Sequence, residues 1–234
     1  MDTISLVEKL QEGLILCFDK PFGWTSFDLV NRVRSDMCKY SGLKKLKVGH
    51  AGTLDPLATG VLVICTGKAT KHITSIQEMP KEYEAGIIFG ASTPSFDLET
   101  EIDETYPIDH INISLIKEKL KLFNGKIKQI PPVFSAKKIN GVRAYDLARR
   151  GNMSKMEPVE VEIISLEIID FKSPQLNLRI KCSKGTYIRS LASDLGYELS
   201  SGGYLSSLRR TAVGQYTIAN ALNQEYYLKT LNNL

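Results

Sequence analysis

Val48-Gly49-His50-Ala51-Gly52-Thr53-Leu54-Asp55-Pro56-Leu57-Ala58-Thr59-Gly60 places three glycines, one histidine and one carboxylate between a basic run (Lys44, Lys45, Lys47) and an apolar run, Val61 to Cys65. Glycine lets a backbone turn where a side chain would clash. Pro56 fixes its own φ and removes a donor directly after Asp55. Leu54 and Pro56 keep water partly away from the carboxylate. The stretch therefore reads as a tight bend that presents one acid beside a buried strand. Local sequence leaves two readings of Asp55 open, a catalytic acid or an aspartate that caps a turn.

Working outward, apolar runs and helical periods alternate. Leu14 to Phe18 and Val61 to Cys65 read as buried strands. Thr25 or Ser26 caps a helix to about Tyr40 with Phe27, Val30, Val33 and Met37 inward. Gly67 to Gln77 reads as a helix. Tyr83 to Phe89 reads as a strand in which period two puts Tyr83 on one face with Ala85, Ile87 and Phe89. Ser92 to Pro107 is acidic and turn-rich, hence a loop or an insertion. Ser114 to Phe123 is a helix stopped by Gly125. Val159 to Phe171 and Gln175 to Ser183 are strands joined near Pro174, Thr186 caps a helix to about Leu199, and Gly202-Gly203 leads into a last strand, Tyr204 to Thr211. This rhythm is not a strict βαβ alternation. It predicts an α+β fold with a mixed, largely antiparallel central sheet flanked by helices, in a single domain spanning residues 1–234.

Composition narrows the function. The chain has 234 residues, 43% of them hydrophobic, enough for a sizeable core. No apolar run approaches the roughly 20 residues of a membrane helix, and Met1-Asp2-Thr3 opens no secretory signal. Cys17, Cys38, Cys65 and Cys182 are far apart and read as reduced thiols of a cytoplasmic protein. With His also scattered, no metal site is expected. The sequence holds no GxGxxG, Walker, HExxH or GxSxG motif, so nucleotide-dependent, zincin and serine-hydrolase readings have no support. The net charge of +4 is unevenly spread. Lys39 to Lys47 and Lys137 to Lys155 are basic, whereas Ser95 to Glu104 is acidic. Such patches suit a polyanion, most plainly nucleic acid.

Asp19-Lys20-Pro21-Phe22-Gly23-Trp24-Thr25-Ser26 followed by Gly49 to Gly60 closely resembles the opening of the TruB family of tRNA pseudouridine synthases. The resemblance continues, in order, through Lys81-Glu82-Tyr83, Pro131-Pro132-Val133-Phe134-Ser135-Ala136-Lys137-Lys138 with Gly141 and Tyr145, Cys182-Ser183-Lys184-Gly185-Thr186-Tyr187-Ile188-Arg189, and Leu208-Arg209-Arg210. It spans roughly Leu14 to Tyr216. It implies the pseudouridine synthase fold and isomerisation of uridine 55 in the tRNA T arm, with no cofactor. In catalysis, Asp55 would be the nucleophile, Tyr83 the aromatic stacked on the target base, and Arg189 the partner of the aspartate. Lys20, Tyr187 and Leu208 would support or line the pocket, and His50 would touch the RNA. The basic segment 126–155, with Lys137 and Arg143, would be an insertion that grips phosphates. The base must leave its stack to react, and an aromatic such as Tyr83 can replace that stacking.

The resemblance further implies tRNA (its T-arm stem-loop) as partner, with no membrane and no obligate protein partner, for a monomer. Two departures stand out. Only Thr217 to Leu234 follow Tyr216, so no C-terminal PUA domain is expected. Phe134 stands where the family usually carries Tyr, which removes a hydroxyl. An alternative from another class is a protein that binds tRNA or assists its folding without catalysis. A carboxylate glycosidase would need a second acid near Asp55, and none stands out. The role of Asp97, in the acidic loop, has no assignment from the sequence.

Overall fold

The apolar run after the quoted stretch becomes the central strand of one part of the molecule. In the computed structural model the described residues are 6–134, 138–139, 142–143 and 156–223. They divide into two compact units, Met1–Tyr83 with Arg209–Leu234, and Glu84–Leu208. Elements are numbered in chain order. Two strands, β4 (Lys81–Phe89) and β12 (Gly203–Val213), contribute residues to both units.

The first unit contains α1 (Leu6–Glu12), β1 (Ile15–Lys20), α2 (Ser26–Ser41), β2 (Val48–His50), β3 (Ala58–Thr66), a 3-10 segment (Gly67–His72), α3 (Ile73–Glu78) and β13 (Tyr216–Thr217). Its strands run in the order β1-β3-β12. The short β2 and β13 pair with β3 and β12. The β3 run is apolar throughout because both of its faces are covered. Leu62 and Ile64 join Val30, Val33 and Met37 of α2 in one cluster, while Val61, Val63 and Cys65 join Ala69, Ile76 and Val213 in another.

Helix α2 begins as its sequence predicts. Thr25 and Asp28 form a reciprocal capping box, and Gly42 closes the helix at φ 73°. Phe27 does not point inward. It is 61% exposed, and Leu29 is buried in its stead. At about 100° per residue, Phe27 projects roughly 110° from the centre of the arc shared by Ser26, Leu29, Val30, Val33 and Met37.

The second unit contains the rest of β4, a small hairpin β5 (Ala91–Ser92) and β6 (Glu104–Thr105), α4 (Ile113–Leu120) with a 3-10 continuation (Lys121–Phe123), and β7 (Gly125–Gln129). The short β8 (Lys138–Ile139) and β9 (Val142–Arg143), β10 (Val159–Lys172), β11 (Gln175–Cys182) and α5 (Ile188–Glu198) follow. Its strands run β12-β4-β11-β10-β7. The result is the mixed sheet with flanking helices that the sequence pattern predicts.

Three local readings are corrected. Ser92 to Pro107 carries the β5–β6 hairpin. Residues 126–129, the start of the expected insertion, sit in β7 and pair with Glu162 to Val159 of β10. The N-cap of α5 is Tyr187, and the Thr186 hydroxyl instead donates to the Ser183 carbonyl, 3.0 Å away.

Candidate active site

The bend at Asp55 is held from several directions. Ser26, the first residue of α2, donates its hydroxyl to the Leu54 carbonyl (3.1 Å) and accepts from the Leu54 amide (2.8 Å). That reciprocal pair ties the loop to the helix N-terminus. The Ala58 amide donates to the Asp55 carbonyl at 3.1 Å, and the Gly23 amide to the Pro56 carbonyl at 2.9 Å. Asp55 itself is half-buried beside the fully buried Leu54.

Two buried cations flank this loop. Lys20, the last residue of β1, has no exposed surface. Its ammonium donates to the carbonyls of Trp24 (2.6 Å), Pro21 (2.9 Å) and Pro56 (3.4 Å). Burial pulls the lysine down to about 8, against the opposing attraction of Asp55. Arg210 of β12 is 2% exposed and donates to the carbonyls of Val61, Gly52 and Thr53. At its neighbour Arg209 the guanidinium forks onto both carboxylate oxygens of Asp19, at 2.7 and 3.2 Å. Gly60 has to be glycine. Its φ is +105°, and a Cβ there would stand 2.2 Å from the Arg210 carbonyl oxygen.

His50 lies on β2 opposite Ile64. Its Nδ1 is buried and has no hydrogen-bond partner among the described residues. Burial lowers its proton affinity, partly opposed by the Gly52 backbone, so the imidazole is neutral near pH 7.

In the second unit the helix α5 carries Arg189 in its first turn. The side chain is buried and forms an ion pair with the equally buried Asp97, Nε to Oδ2 at 3.7 Å. It also donates to the carbonyls of Phe134 (2.9 Å) and Ser95 (3.3 Å). Phe134 makes this contact through its backbone carbonyl, so the contact does not depend on its side chain. Asp97 is itself fixed, accepting at Oδ1 from the Glu99 amide (3.0 Å) while its carbonyl accepts from Thr93 (2.7 Å). The start of α5 is held by the fully buried Gln129, whose side chain accepts from the Tyr187 amide (2.8 Å) and donates to the Tyr187 carbonyl (3.0 Å).

Residues 39–188 match the family described as TruB family pseudouridylate synthase (N terminal domain). The chain is 52% identical to tRNA pseudouridine synthase B of Phocaeicola vulgatus over 95% of its own length and 94% of the relative's. It is 53% identical to the protein of that name from Bacteroides fragilis, over 91% of each chain. The chain belongs to the TruB family of pseudouridylate synthases. A solved Cbf5-Nop10-Gar1 complex contains a chain of the same fold, with a TM-score of 0.72 and 25% identity over 98% of this chain and 59% of that one.

Within this TruB-family chain, the site residues expected from sequence fall into three groups. Lys20, His50, Asp55 and Tyr83 belong to the first unit, where Lys20 and Asp55 interact electrostatically. Tyr83 is buried on the same face of β4 as Ala85, Ile87 and Phe89. Tyr187, Arg189 and Leu208 belong to the second unit, with Tyr187 and Leu208 half-buried. Lys137 lies outside the described residues, and of Arg143 only the backbone, in β9, is described.

Asp97, Gln129 and Arg210 carry connections that sequence reasoning did not assign. Arg210 had a signal, a charge on the same strand face as Leu208 and Ala212. Gln129, before Ile130-Pro131-Pro132, had none.

Among the described residues, no group of three or more His, Cys, Asp or Glu side chains is placed to hold a metal ion. No helix among them is long and apolar enough to cross a membrane.

Proposed function

We propose that this chain converts uridine to pseudouridine in tRNA, at position 55 of the T arm, with Asp55 as nucleophile. The observation that carries the proposal is relatedness at about half identity, over more than nine-tenths of both chains, to proteins named tRNA pseudouridine synthase B. The Asp55 loop supports it, since one carboxylate is held in a tight bend beside a buried ammonium. The reaction breaks the bond from the sugar C1′ to N1 of uracil, forms a bond from C1′ to C5, releases the proton from C5 and places a proton on N1. It consumes no oxidant, reductant or outside leaving group. Attack on the sugar and attack on the base both fit a single acid.

In this reading the target base is flipped out of the T loop and stacked on Tyr83. Arg189 pairs with the nucleophile, and the ion pair with Asp97 pre-orients its guanidinium. Lys20, Tyr187 and Leu208 shape the pocket, and neutral His50 meets the RNA as a hydrogen-bonding group. Phosphates are held by Lys137 and Arg143. A cleft of about 560 Å³, lined in the first unit by Lys45, Lys47, Lys68 and Lys71, offers them a second basic surface.

The test is Asp55→Asn on a T-arm stem-loop labelled with tritium at C5 of uridine. The expected result is loss of tritium release below detection, with stem-loop binding nearly unchanged. Wild-type release by the variant would remove Asp55 from the chemistry. No release by the wild-type protein, with tight binding, would favour the role of binding or folding assistance.

A further inference from the structure

We infer that Arg210 is a positioning residue of the pseudouridine-forming site, whose buried guanidinium holds the backbone on both sides of Asp55. The inference rests on the reading of Asp55 as the nucleophile. The geometry is that of a three-way clamp. Nε donates to the Val61 carbonyl at 2.8 Å, Nη2 to Gly52 at 3.1 Å and Nη1 to Thr53 at 3.3 Å. Gly52 and Thr53 lead into Asp55, and Val61 lies in the strand that leaves it. One planar group therefore fixes where the loop departs and where it returns.

Only a guanidinium presents donors in that fixed fork, and a lysine ammonium reaches such carbonyls as a single point. The base of the clamp is equally fixed, because β3 and β12 approach at Gly60, where no Cβ fits against the Arg210 backbone.

Stability alone does not explain this arginine. Every described partner of its side chain is a neutral carbonyl, and a buried cation without a carboxylate is costly compared with an apolar residue of similar volume. What the cation supplies in return is loop geometry and field. Its charge opposes protonation of both Lys20 and His50. Lys20 faces Asp55, Asp28 and Asp19, which favour its charged form, while burial and Arg210 oppose it. Arg210 therefore holds the backbone on either side of Asp55 and also keeps the adjacent ammonium easier to discharge.

Arg210→Lys and Arg210→Met test this on the full chain, with kcat and KM measured on the T-arm stem-loop. The Lys20 titration is followed by NMR of 13C-labelled lysine, and folding by thermal melting. For Arg210→Lys, kcat is expected to fall by about 10- to 100-fold, as for loop displacements near 1 Å, with KM and the Lys20 titration unchanged. For Arg210→Met, kcat falls likewise and Lys20 titrates at higher pH, a shift that a purely structural role would not produce. Folded Arg210→Lys with wild-type kcat overturns the inference, as does an unmoved Lys20 in folded Arg210→Met.

Should either variant fail to fold, hydrogen exchange of the Arg210 Nε–H in the wild-type protein decides. Strong protection supports the clamp, and exchange as fast as in an exposed arginine overturns it. Asp55→Asn is run alongside. If it is active, the nucleophile reading fails. If it is dead while Arg210→Lys is fully active, only the role of Arg210 fails.

Discussion

At the scale of single residues, the informative group is Lys20. Sequence places it between an acid and a proline, where a solvent-exposed lysine is the ordinary expectation. The structure removes it from water and gives it carbonyl partners. Its proton affinity drops from 10.5 to about 8, chiefly through burial. The consequence for stability has a definite sign. Below about pH 8 both folded and unfolded chains carry the proton, and the burial penalty is fully present. As pH rises from there toward 10.5, the folded chain releases the proton while the unfolded chain keeps it, so folding gains stability. Wild-type protein is therefore expected to gain melting temperature relative to Lys20→Met between pH 8 and 10, measured as the difference between the two curves. A flat difference would show that Lys20 titrates near its ordinary value.

At the scale of elements, the start of α5 shows how a helix terminus is built when its own sequence supplies no cap. Thr186 is the residue that capping preference selects, yet its hydroxyl closes the turn behind it. Gln129, 58 residues away in sequence, hydrogen-bonds both the amide and the carbonyl of Tyr187. Arg189 follows two residues later, so the orientation of the guanidinium depends on this distant amide. Gln129→Leu is expected to lose about 1–3 kcal/mol of stability, the cost of leaving buried polar groups unpaired. Turnover falls more than RNA binding does, because the geometry of Arg189 is loosened while the phosphate contacts remain. Urea midpoints and single-turnover rates check both parts. By contrast the N-terminus of α2 was legible, because Thr25 and Asp28 are three residues apart and meet without outside help. The outward placement of Phe27 was not, since a spacing of three from Val30 fits either edge of an apolar arc, and only packing selects the edge.

At the scale of the molecule, charge distribution governs encounter with RNA. The net charge of +4 is modest, but Lys45, Lys47, Lys68 and Lys71 meet around one cleft although two come from before β2 and two from the turn after β3. Lys68 also pairs with Glu12 at 2.7 Å, an exposed contact of little energetic weight. Replacing Lys45, Lys47 and Lys71 together by Gln is expected to weaken stem-loop binding, and to make log K depend less steeply on log salt by roughly 0.7–0.9 for each phosphate that is no longer neutralised. An unchanged salt slope would place the cleft outside the RNA path.

The sequence by itself determined the periodic elements, the buried β3, the Asp55 bend and membership in the family. Those features rest on neighbours a few residues apart, or on motifs in a set order, which a linear chain displays directly. Only the tertiary structure decided that Lys20 is buried, that Asp97 pairs with Arg189, that Gln129 closes the start of α5, and that Arg210 grips the backbone around Asp55. The Asp97–Arg189 ion pair joins residues far apart in sequence, and the other three rest on hydrogen bonds from a side chain to backbone groups. Backbone groups are chemically alike at every position, so nothing in the one-dimensional pattern marks which of them a distant side chain will reach.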